Sequence, residues 1–350
     1  MVVIGGAGYI GSVLVRKLLE AGHETTVLDR LDYGEGSLAE LFDDPRFRLV
    51  RADMRDADTL SAVVRGAGAV IHLGAIVGDA ACDAEPGEAI SINYQGAAAV
   101  GRAARAAGVE RMLFASTCSV YGSAPECVDE TSRLNPVSLY ATTKIDAENL
   151  LLSWSEGRFR PTALRIGTAF GWSPRPRFDL AINLLSARAA FEKQASIYNS
   201  SRWRPFVHVD DIARGFVAVL EAPVEQVGGR IFNLGSSAMN RRLGDVGEAL
   251  RRLYPDADVR YEATDDRRDY RVSFAKIERT LGFRALKSLE DGMLEIAAKI
   301  HGGAVEDYRA QKYHNHRLEP AAGAEAARPP AVWPCRRDPA GAPLIQGIGA

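Results

Sequence analysis

The feature that most constrains the fold is a cluster of glycines directly after the first short apolar run. Residues 5–11 read GGAGYIG, a GxxGxxG spacing, and a helical pattern begins at Ile10. Such a turn needs positive φ angles and a backbone that an anion can approach, and the next helix offers free N–H groups to a pyrophosphate. The segment therefore predicts a phosphate-binding turn, with a plain tight turn as the alternative. The candidate ligand-facing residues are Gly5, Gly8, Tyr9, Ile10 and Gly11.

An acidic residue ends the second apolar run at the spacing that a dinucleotide site requires. Asp29 follows the glycines by about twenty residues, where a carboxylate accepts both hydrogen bonds of an adenine ribose. A carboxylate there repels a 2′-phosphate, so NAD is favoured over NADP, although the neighbouring Arg30 weakens this preference. Asp53 ends the third run, where it meets the adenine amine or only caps the next turn. Both interpretations of Asp53 stay open.

Short apolar runs alternate with helical patterns over the first half of the chain, as in parallel sheets covered by helices on both faces. The predicted strands are residues 2–4, 24–29, 47–52, 69–73, 111–115 and 162–166, and the helices are 10–20, 59–65, 89–107 and 139–154. Looser patterns past Gly167 predict helices at 178–191, 211–221, 244–253 and 289–299, and strands at 205–209 and 230–234.

These patterns predict an α/β fold: a Rossmann-type doubly wound parallel sheet with a smaller interleaved C-terminal substrate lobe. The predicted boundaries are residues 1–166 for the dinucleotide-binding domain and 167–318 for the lobe. Residues 319–350 are rich in Pro, Ala and Gly without periodicity, which predicts a disordered tail.

Composition excludes several classes of function. The net charge is −2 and no polybasic stretch is present, so we expect no nucleic-acid partner. No apolar run reaches ~18 residues, so we expect no signal peptide, no membrane segment and a cytoplasmic protein. The four cysteines lack metal-ligand spacing, which indicates reduced thiols and no metal site.

A tyrosine and a lysine lie four residues apart in the predicted helix 139–154. This spacing places the Tyr140 phenol and the Lys144 ammonium on one helix face. Free tyrosine titrates near pH 10, so a tyrosine base near pH 7 needs differential stabilisation of ~4 kcal/mol. A lysine and an oxidised nicotinamide ring are a field of the right sign. With Thr117 at a strand end upstream, the pair predicts a catalytic set of three residues.

Seven segments, in this order, resemble the extended short-chain dehydrogenase/reductase family, and within it the nucleotide-sugar epimerase/dehydratase group. They are GGAGYIGS, LDR, HLGA, INYQGA, STCSVYG, YATTK and RPFVHVDDIA. The resemblance extends over about residues 1–315. It implies bound NAD, a nucleotide-diphosphate sugar as substrate, and a homodimer through a four-helix bundle formed by residues 89–107 and 139–154.

The resemblance also assigns roles by position. Thr117 matches the active-site hydroxyl, Tyr140 the base, and Lys144 the residue that bonds the nicotinamide ribose. Asn93 matches the asparagine of an NxxGT segment, in which Ala97 here replaces the threonine. The other implied cofactor contacts are Met54, Leu73, Gly74 and Ala75.

On the substrate side, Arg204 matches an arginine that grips the substrate diphosphate, with a solvated edge arginine as the alternative. Relatives usually carry asparagine at Thr168, so the sugar or its orientation differs. Arg175, Arg177 and Asp179 are candidate substrate contacts or surface salt-pair partners, and Asp79 is a pocket acid or a loop cap. The segment 265–273 loosely matches a late arginine segment, with Arg268 or Arg271 as the candidate.

The two residues after Thr117 discriminate between reactions. The 4,6-dehydratases of the group carry a pair resembling Asp-Glu there, whereas this chain has Cys118 and Ser119, neither of which is a carboxylic acid. We expect Ser119 to line the sugar pocket, and Cys118 to be a weak catalytic acid or, more simply, a packed thiol.

The resulting expectation is an NAD-dependent nucleotide-sugar 4-epimerase that oxidises C4 transiently and returns the hydride. Two alternatives stay open. One is a dehydratase or keto-sugar reductase of the same family. The other is a non-catalytic dinucleotide-sensing binding protein, against which the intact Thr117, Tyr140 and Lys144 argue.

Overall fold

The computed structural model describes residues 1–264, 266 and 268–315. The predicted disordered tail, residues 319–350, therefore lies outside the described residues. Strands occur throughout the described part of the chain. They are β1 (Val2–Ile4), β2 (Thr25–Asp29), β3 (Phe47–Arg51), β4 (Ala69–His72), β5 (Arg111–Thr117), β6 (Ser123–Val128), β7 (Arg160–Ile166), β8 (Thr168–Phe170), β9 (Gln194–Tyr198), β10 (Trp203–His208), β11 (Ile231–Leu234), β12 (Asn240–Arg242), β13 (Asp258–Glu262) and β14 (Asp269–Val272).

The helices alternate with the strands of the first half and dominate the second. They are α1 (Tyr9–Glu20), α2 (Ala57–Val64), α3 (Asp79–Ala84), α4 (Pro86–Ile90), α5 (Ala97–Ala106), α6 (Leu139–Ser153), α7 (Ala181–Glu192), α8 (Val209–Glu221), α9 (Val224–Val227), α10 (Leu243–Leu253), α11 (Ala275–Leu281) and α12 (Leu289–His301). None of the described helices is long and apolar enough to span a membrane.

A seven-stranded sheet with the order β11-β7-β5-β4-β1-β2-β3 forms the centre of the protein, and neighbouring strands are parallel. The predicted Rossmann-type doubly wound sheet is therefore confirmed. The strand order reverses between β1 and β4. In open parallel sheets a ligand lies in the crevice beyond the carboxyl ends of the strands at such a point.

Helices cover both faces of this sheet and bury its apolar residues. On one face α1 and α8 pack through Leu14, Leu18 and Phe216. On the other face α2, α5 and α6 contribute residues such as Leu60 and Leu151. Because both faces are covered, the inner strands β1, β4 and β5 are continuous buried runs rather than alternating ones.

The chain leaves the central sheet at Gly167. A Cβ atom there would lie 2.5 Å from the Pro205 carbonyl oxygen, so only glycine lets β7 pass into β8 beside β10. β8, β10 and β12 form a second sheet, and β9–β13 and β6–β14 form two-stranded sheets. β11 then returns to the central sheet beside β7. The boundary at residues 166 and 167 stays a prediction.

The predicted helix at residues 89–107 is not a uniform α-helix. It consists of α4, a π-helical segment at Ser91–Gly96, and α5. The wide turn places the Asn93 amide against the Ile76 backbone, where it both accepts and donates a hydrogen bond. A contact between segments this far apart in sequence is not visible in local periodicity. π-Helical turns often occur at functional sites.

Candidate active site

The glycine turn after β1 is built for close approach. Gly5 has a φ of +81°, and a Cβ atom there would lie 2.6 Å from the Gly74 nitrogen. A Cβ atom at Gly11 would lie 2.4 Å from the Gly5 carbonyl oxygen. Within the described residues, no side chain caps the amino end of α1 at Gly8. The first turn, including Tyr9 and Ile10, therefore keeps N–H groups for an anion, as a dinucleotide pyrophosphate requires.

Asp29 lies at the carboxyl end of β2, half-buried and held in place. Its Oδ2 accepts a hydrogen bond from the Ala7 nitrogen at 3.0 Å, and its Oδ1 accepts one from the Leu31 nitrogen at 2.9 Å. Burial raises the pKa of this carboxyl. Each oxygen retains a free lone pair, so the oriented carboxylate fits the two hydroxyls of an adenine ribose.

Arg30 and Asp53 belong to a network of charges near this end of the sheet. Arg30 pairs with Asp32 and with Glu88 and lies 3.6 Å from Asp53. Arg55 donates a hydrogen bond to Asp53 at 2.6 Å. This bond lowers the pKa of the Asp53 carboxyl to about 2, because its effect is larger than the opposing effect of burial. Arg30 is thus surrounded by carboxylates, which does not suit it to a 2′-phosphate. Asp53 also accepts from the Arg55 backbone, so its turn-capping role is present.

The loop after β4 forms the other wall of the crevice. Gly74 approaches Gly5, while Leu73 and Ala75 are half-buried beside it. Met54 is buried under the loop, between Gly74 and Gly96. Asn93 also donates to Thr143 Oγ1 at 3.3 Å, which joins the loop to α6. Asn93 therefore positions the loop, and its side chain is fully engaged by protein groups.

Tyr140 and Lys144 lie on α6, directly above the end of β5. The buried Lys144 Nζ donates to the Ala115 carbonyl oxygen at 2.9 Å, and burial lowers the pKa of this ammonium to about 8. Burial raises the pKa of the Tyr140 phenol, while Arg177 and the Thr117 hydroxyl pull it down. The Lys144 nitrogen lies 6.0 Å from the Tyr140 ring centre. Arg177, which sequence reasoning did not connect with this tyrosine, thus provides a favourable charge.

In the turn after Thr117, the side chains of Cys118 and Ser119 lie in different environments. Cys118 is completely buried in the main core, and its thiol donates to the Arg165 carbonyl oxygen at 3.2 Å. Burial raises the pKa of this thiol well above its usual value. This geometry favours the packed-thiol interpretation of Cys118 over the catalytic one. Ser119 is half-buried and touches Tyr270, and it donates its backbone N–H to Thr117 Oγ1.

Arginines and acids from distant segments meet beside this turn. Asp266 accepts hydrogen bonds from Arg204 and from Arg268, each at 2.9 Å. Arg268 also donates to Asp79 at 3.1 Å, across 189 residues of sequence. Asp79 acts on Tyr140, whose pKa it raises. Three of the predicted substrate residues therefore lie together, next to the predicted catalytic set.

Sequence reasoning did not identify two residues of this cluster, Tyr270 and Asp266. The Tyr270 side chain is buried close to Ser119, Arg204 and Arg268, and Asp266 neutralises both arginines. Both lie in the segment DDRRDYRVS, where only the arginines were considered. Thr168 lies half-buried in β8 with its backbone in register with Phe206.

The loop between β8 and α7 ties the second half of the chain to the glycine turn. The Tyr9 hydroxyl donates to the Gly171 carbonyl oxygen at 2.8 Å, and Ser173 donates to the Tyr9 carbonyl oxygen at 2.7 Å. Asn183 bonds both the nitrogen and the oxygen of Gly171. Arg177 forms a two-pronged ion pair with Asp179, and its charge reaches both Tyr9 and Tyr140.

Comparisons with known proteins agree with this geometry. The model of the "NAD dependent epimerase/dehydratase family" matches residues 1–235. The dTDP-glucose 4,6-dehydratase of Streptomyces niveus is 30% identical over 84% of this chain and 90% of its own length. The UDP-glucose 4-epimerase of Bacillus subtilis is 27% identical over 83% of this chain and 94% of its own.

Solved structures show the same architecture. The dTDP-glucose 4,6-dehydratase of Streptomyces venezuelae, solved with NAD bound, has a TM-score of 0.76 and 29% identity, over 87% of this chain and 98% of its own. The UDP-glucuronic acid 4-epimerase of Bacillus cereus, at 24% identity over 86% of this chain and 98% of its own, shares the fold with a TM-score of 0.76. The chain thus belongs to the NAD dependent epimerase/dehydratase family of enzymes, and its cofactor is NAD.

Proposed function

We propose that the protein is an NAD-dependent nucleotide-sugar 4-epimerase that acts as a cytoplasmic homodimer. The observation that carries the proposal is the set Thr117, Tyr140 and Lys144 beside the dinucleotide crevice, combined with the absence of a carboxyl group at residues 118 and 119. Relatives of both reaction types match the chain, so the choice between them rests on these residues.

Binding of the substrate is assigned to the arginine cluster. In our proposal a diphosphate takes the place of Asp266 between Arg204 and Arg268, because planar guanidinium groups bind phosphate oxygens in pairs. The sugar then extends toward Thr117 and Tyr140, past Asp79, Ser119 and Thr168. The largely buried Arg177 lies on the catalytic side of this path.

In the chemical step, the Tyr140 oxygen accepts the proton of the sugar 4-hydroxyl, and the Thr117 hydroxyl orients that group. Bound NAD would supply the hydride chemistry at C4, as acceptor in the first half of the cycle and as donor to the opposite face of the 4-ketone in the second. Lys144 holds the nicotinamide ribose, and Tyr140 returns its proton to the C4 oxygen in the second half of the cycle. Because burial raises the pKa of Tyr140, the reaction depends on positive charge near the phenol, which Arg177 supports.

Dehydration across C5 and C6 requires one group to protonate the leaving hydroxyl and another to remove the C5 proton. The Cys118 thiol faces the core rather than a cleft, with its pKa raised, and it donates to a main-chain carbonyl. Ser119 has no basic partner among its described contacts. Simple hydride chemistry at C4 is therefore the reaction that the site supports best.

A product analysis in deuterated water tests the proposal. The protein is incubated with UDP-, dTDP-, GDP- and CDP-hexoses, and the products are identified by NMR. Epimerisation predicts inversion at C4 without deuterium from solvent. Deuterium at C5 with loss of water would instead assign a dehydratase, and net use of NADH would assign a keto-sugar reductase.

Two variants make this assay specific. Tyr140→Phe removes only the phenolic hydroxyl, and we expect kcat to fall by about 10²- to 10⁴-fold while NAD binding persists. Leu294→Gln, at an exposed position on α12, is the control. NAD binding without turnover on any sugar nucleotide, in wild type and control alike, would contradict the proposal and favour a sensor.

A further inference from the structure

A buried arginine that forms no ion pair with a carboxylate of the described residues lies in the loop between β8 and α7. Arg175 is only 6% exposed, and its Nε and Nη2 atoms are buried without a hydrogen-bond partner in the described part of the chain. Its guanidinium stacks 3.8 Å from the centre of the Tyr33 ring. Burial, and next Arg177, lower the pKa of Arg175 to about 10. A buried cation in this state is unfavourable until an anion joins it.

The nearby carboxylate is already in use. Asp179 accepts two hydrogen bonds from Arg177, at 2.9 and 2.7 Å, and its Oδ2 also accepts one from the Asn315 nitrogen at 3.2 Å. Arg177 and Asp179 therefore neutralise each other. Within the described residues Arg175 has no ion pair of its own. Asp179 and the Tyr33 side chain act favourably on its charge, but burial and the neighbouring Arg177 outweigh them.

The position of Arg175 indicates which anion it meets. Its backbone N–H donates to Ser173 Oγ at 3.2 Å, and Ser173 in turn bonds the Tyr9 carbonyl oxygen at the start of α1. Tyr33, the stacking platform, follows the ribose-binding Asp29 by four residues. Arg175 thus lies between the amino end of α1 and the segment after β2, on the dinucleotide side of the crevice.

We propose that Arg175 binds a phosphate group of the dinucleotide through its Nε–Nη2 edge, with Tyr33 as the platform that holds the guanidinium. This edge presents two parallel N–H groups, a geometry that fits two oxygens of one phosphate. The second half of the chain thereby contributes a direct ligand to the cofactor. The inference rests on the NAD site of the family and is independent of the reaction at C4.

Titrations of the nucleotide-free protein test the assignment. NAD, ADP-ribose and UDP are titrated calorimetrically into wild type, Arg175→Met and Arg175→Lys, with the exposed Arg252→Met as the matched control. We expect Arg175→Met to weaken NAD and ADP-ribose by about 10- to 100-fold and to leave UDP unchanged. Arg175→Lys should lie between Arg175→Met and wild type, because it keeps the charge but loses the planar fork.

Thermal unfolding gives a second readout. The change in Tm of the nucleotide-free protein on Arg175→Met has one sign for an anion-binding arginine and the opposite sign for a merely structural one. Removal of an unpaired buried cation should raise the Tm of the nucleotide-free protein in Arg175→Met, while the rise in Tm on adding NAD becomes smaller. Unchanged NAD affinity would overturn the proposal. So would a loss confined to UDP, which would assign Arg175 to the substrate, or a lower nucleotide-free Tm with a normal NAD-induced rise. If Arg175→Met misfolds, Tyr33→Ala tests the same proposal, because the Tyr33 side chain is about half-exposed and its removal should not prevent folding. We expect Tyr33→Ala to lower the NAD affinity several-fold.

Discussion

At the scale of single residues, Lys144 connects the chemistry with stability. Its ammonium is buried, and its pKa of about 8 lies below that of an unfolded lysine near 10.5. Between these values the unfolded chain binds more protons than the native one, so stability rises with pH in this window.

We therefore expect the free energy of unfolding of the NAD-free wild type, relative to Lys144→Met, to increase by ~3 kcal/mol from pH 8 to pH 10.5. Below pH 8 the difference should be flat. Urea denaturation across this range measures it, with the exposed Lys193→Met as the control. A difference that is constant or falls with pH would contradict the assignment of a buried, desolvated ammonium.

A substitution of Cys118 distinguishes its two possible roles, a packed thiol and a weak catalytic acid. Because its thiol is packed in the core, Cys118→Ala should change kcat less than about threefold and destabilise the protein by ~1 kcal/mol. A loss of 100-fold or more in kcat, with the fold intact by circular dichroism, would instead identify Cys118 as an acid in the reaction.

The candidate residues that sequence reasoning found belong to local patterns: the glycine turn, the acid after β2, and the Tyr140–Lys144 pair one helical turn apart. The contacts that surround them are long-range. Arg204 meets Asp266 across 62 residues, and Arg177 reaches a tyrosine on α6 from the loop before α7. Spacing within a segment carries no information about such pairs, so Asp266 and Tyr270 could not be assigned in advance, and Arg175 was considered only as a substrate contact or a surface salt-pair partner.

At the scale of secondary-structure elements, a buried ion pair holds α6, which carries the proposed catalytic residues, against the sheet. Glu148 of α6 accepts two hydrogen bonds from Arg165 of β7, and both side chains are almost completely buried. Arg165 also donates to the Tyr121 hydroxyl at 3.0 Å. The pair thus fixes the position of α6, and with it Tyr140 and Lys144, relative to β5 and β7.

Breaking this pair should destabilise the protein strongly. We expect Glu148→Gln to lower the free energy of unfolding by ~3 kcal/mol, because it leaves the Arg165 charge buried without a counter-charge. Glu156→Gln, which breaks the exposed pair with Arg105, should cost less than ~1 kcal/mol. Urea denaturation compares the two. Equal effects of both substitutions would show that burial of the first pair does not matter.

The predicted elements are those with a strong apolar signal. All six predicted strands of the first half and the predicted strand at residues 230–234 occur in the central sheet. Burial on both faces makes the inner strands apolar, whereas the edge strand β3 has no fully buried residue. The strands that were missed include β6 and β13, which lie in two-stranded sheets and expose most of their residues. Without a buried face such strands have no periodicity to detect.

At the scale of the whole molecule, the homodimer stays a prediction with a specific test. Leu150 of α6 is partly exposed and does not belong to the apolar clusters of the described residues, so it is a candidate for the helix bundle. We expect Leu150→Glu to shift the protein from dimer to monomer in sedimentation experiments, because a buried carboxylate at an interface is unfavourable. Leu294→Glu, at an exposed leucine of α12, should leave the dimer intact.

The return of β11 to the edge of β7 limits how the two halves of the chain can be separated and recombined with those of other proteins. A shortened chain that ended at Ile166 would leave the hydrogen-bonding edge of β7, with the buried Ala163 and Leu164, open to pairing with other chains. The first 166 residues are therefore not a detachable module that can be fused to any second lobe. If the second half of the chain binds the sugar, as we propose, a change of specificity requires replacing the segments on either side of β11 while the strand itself is retained.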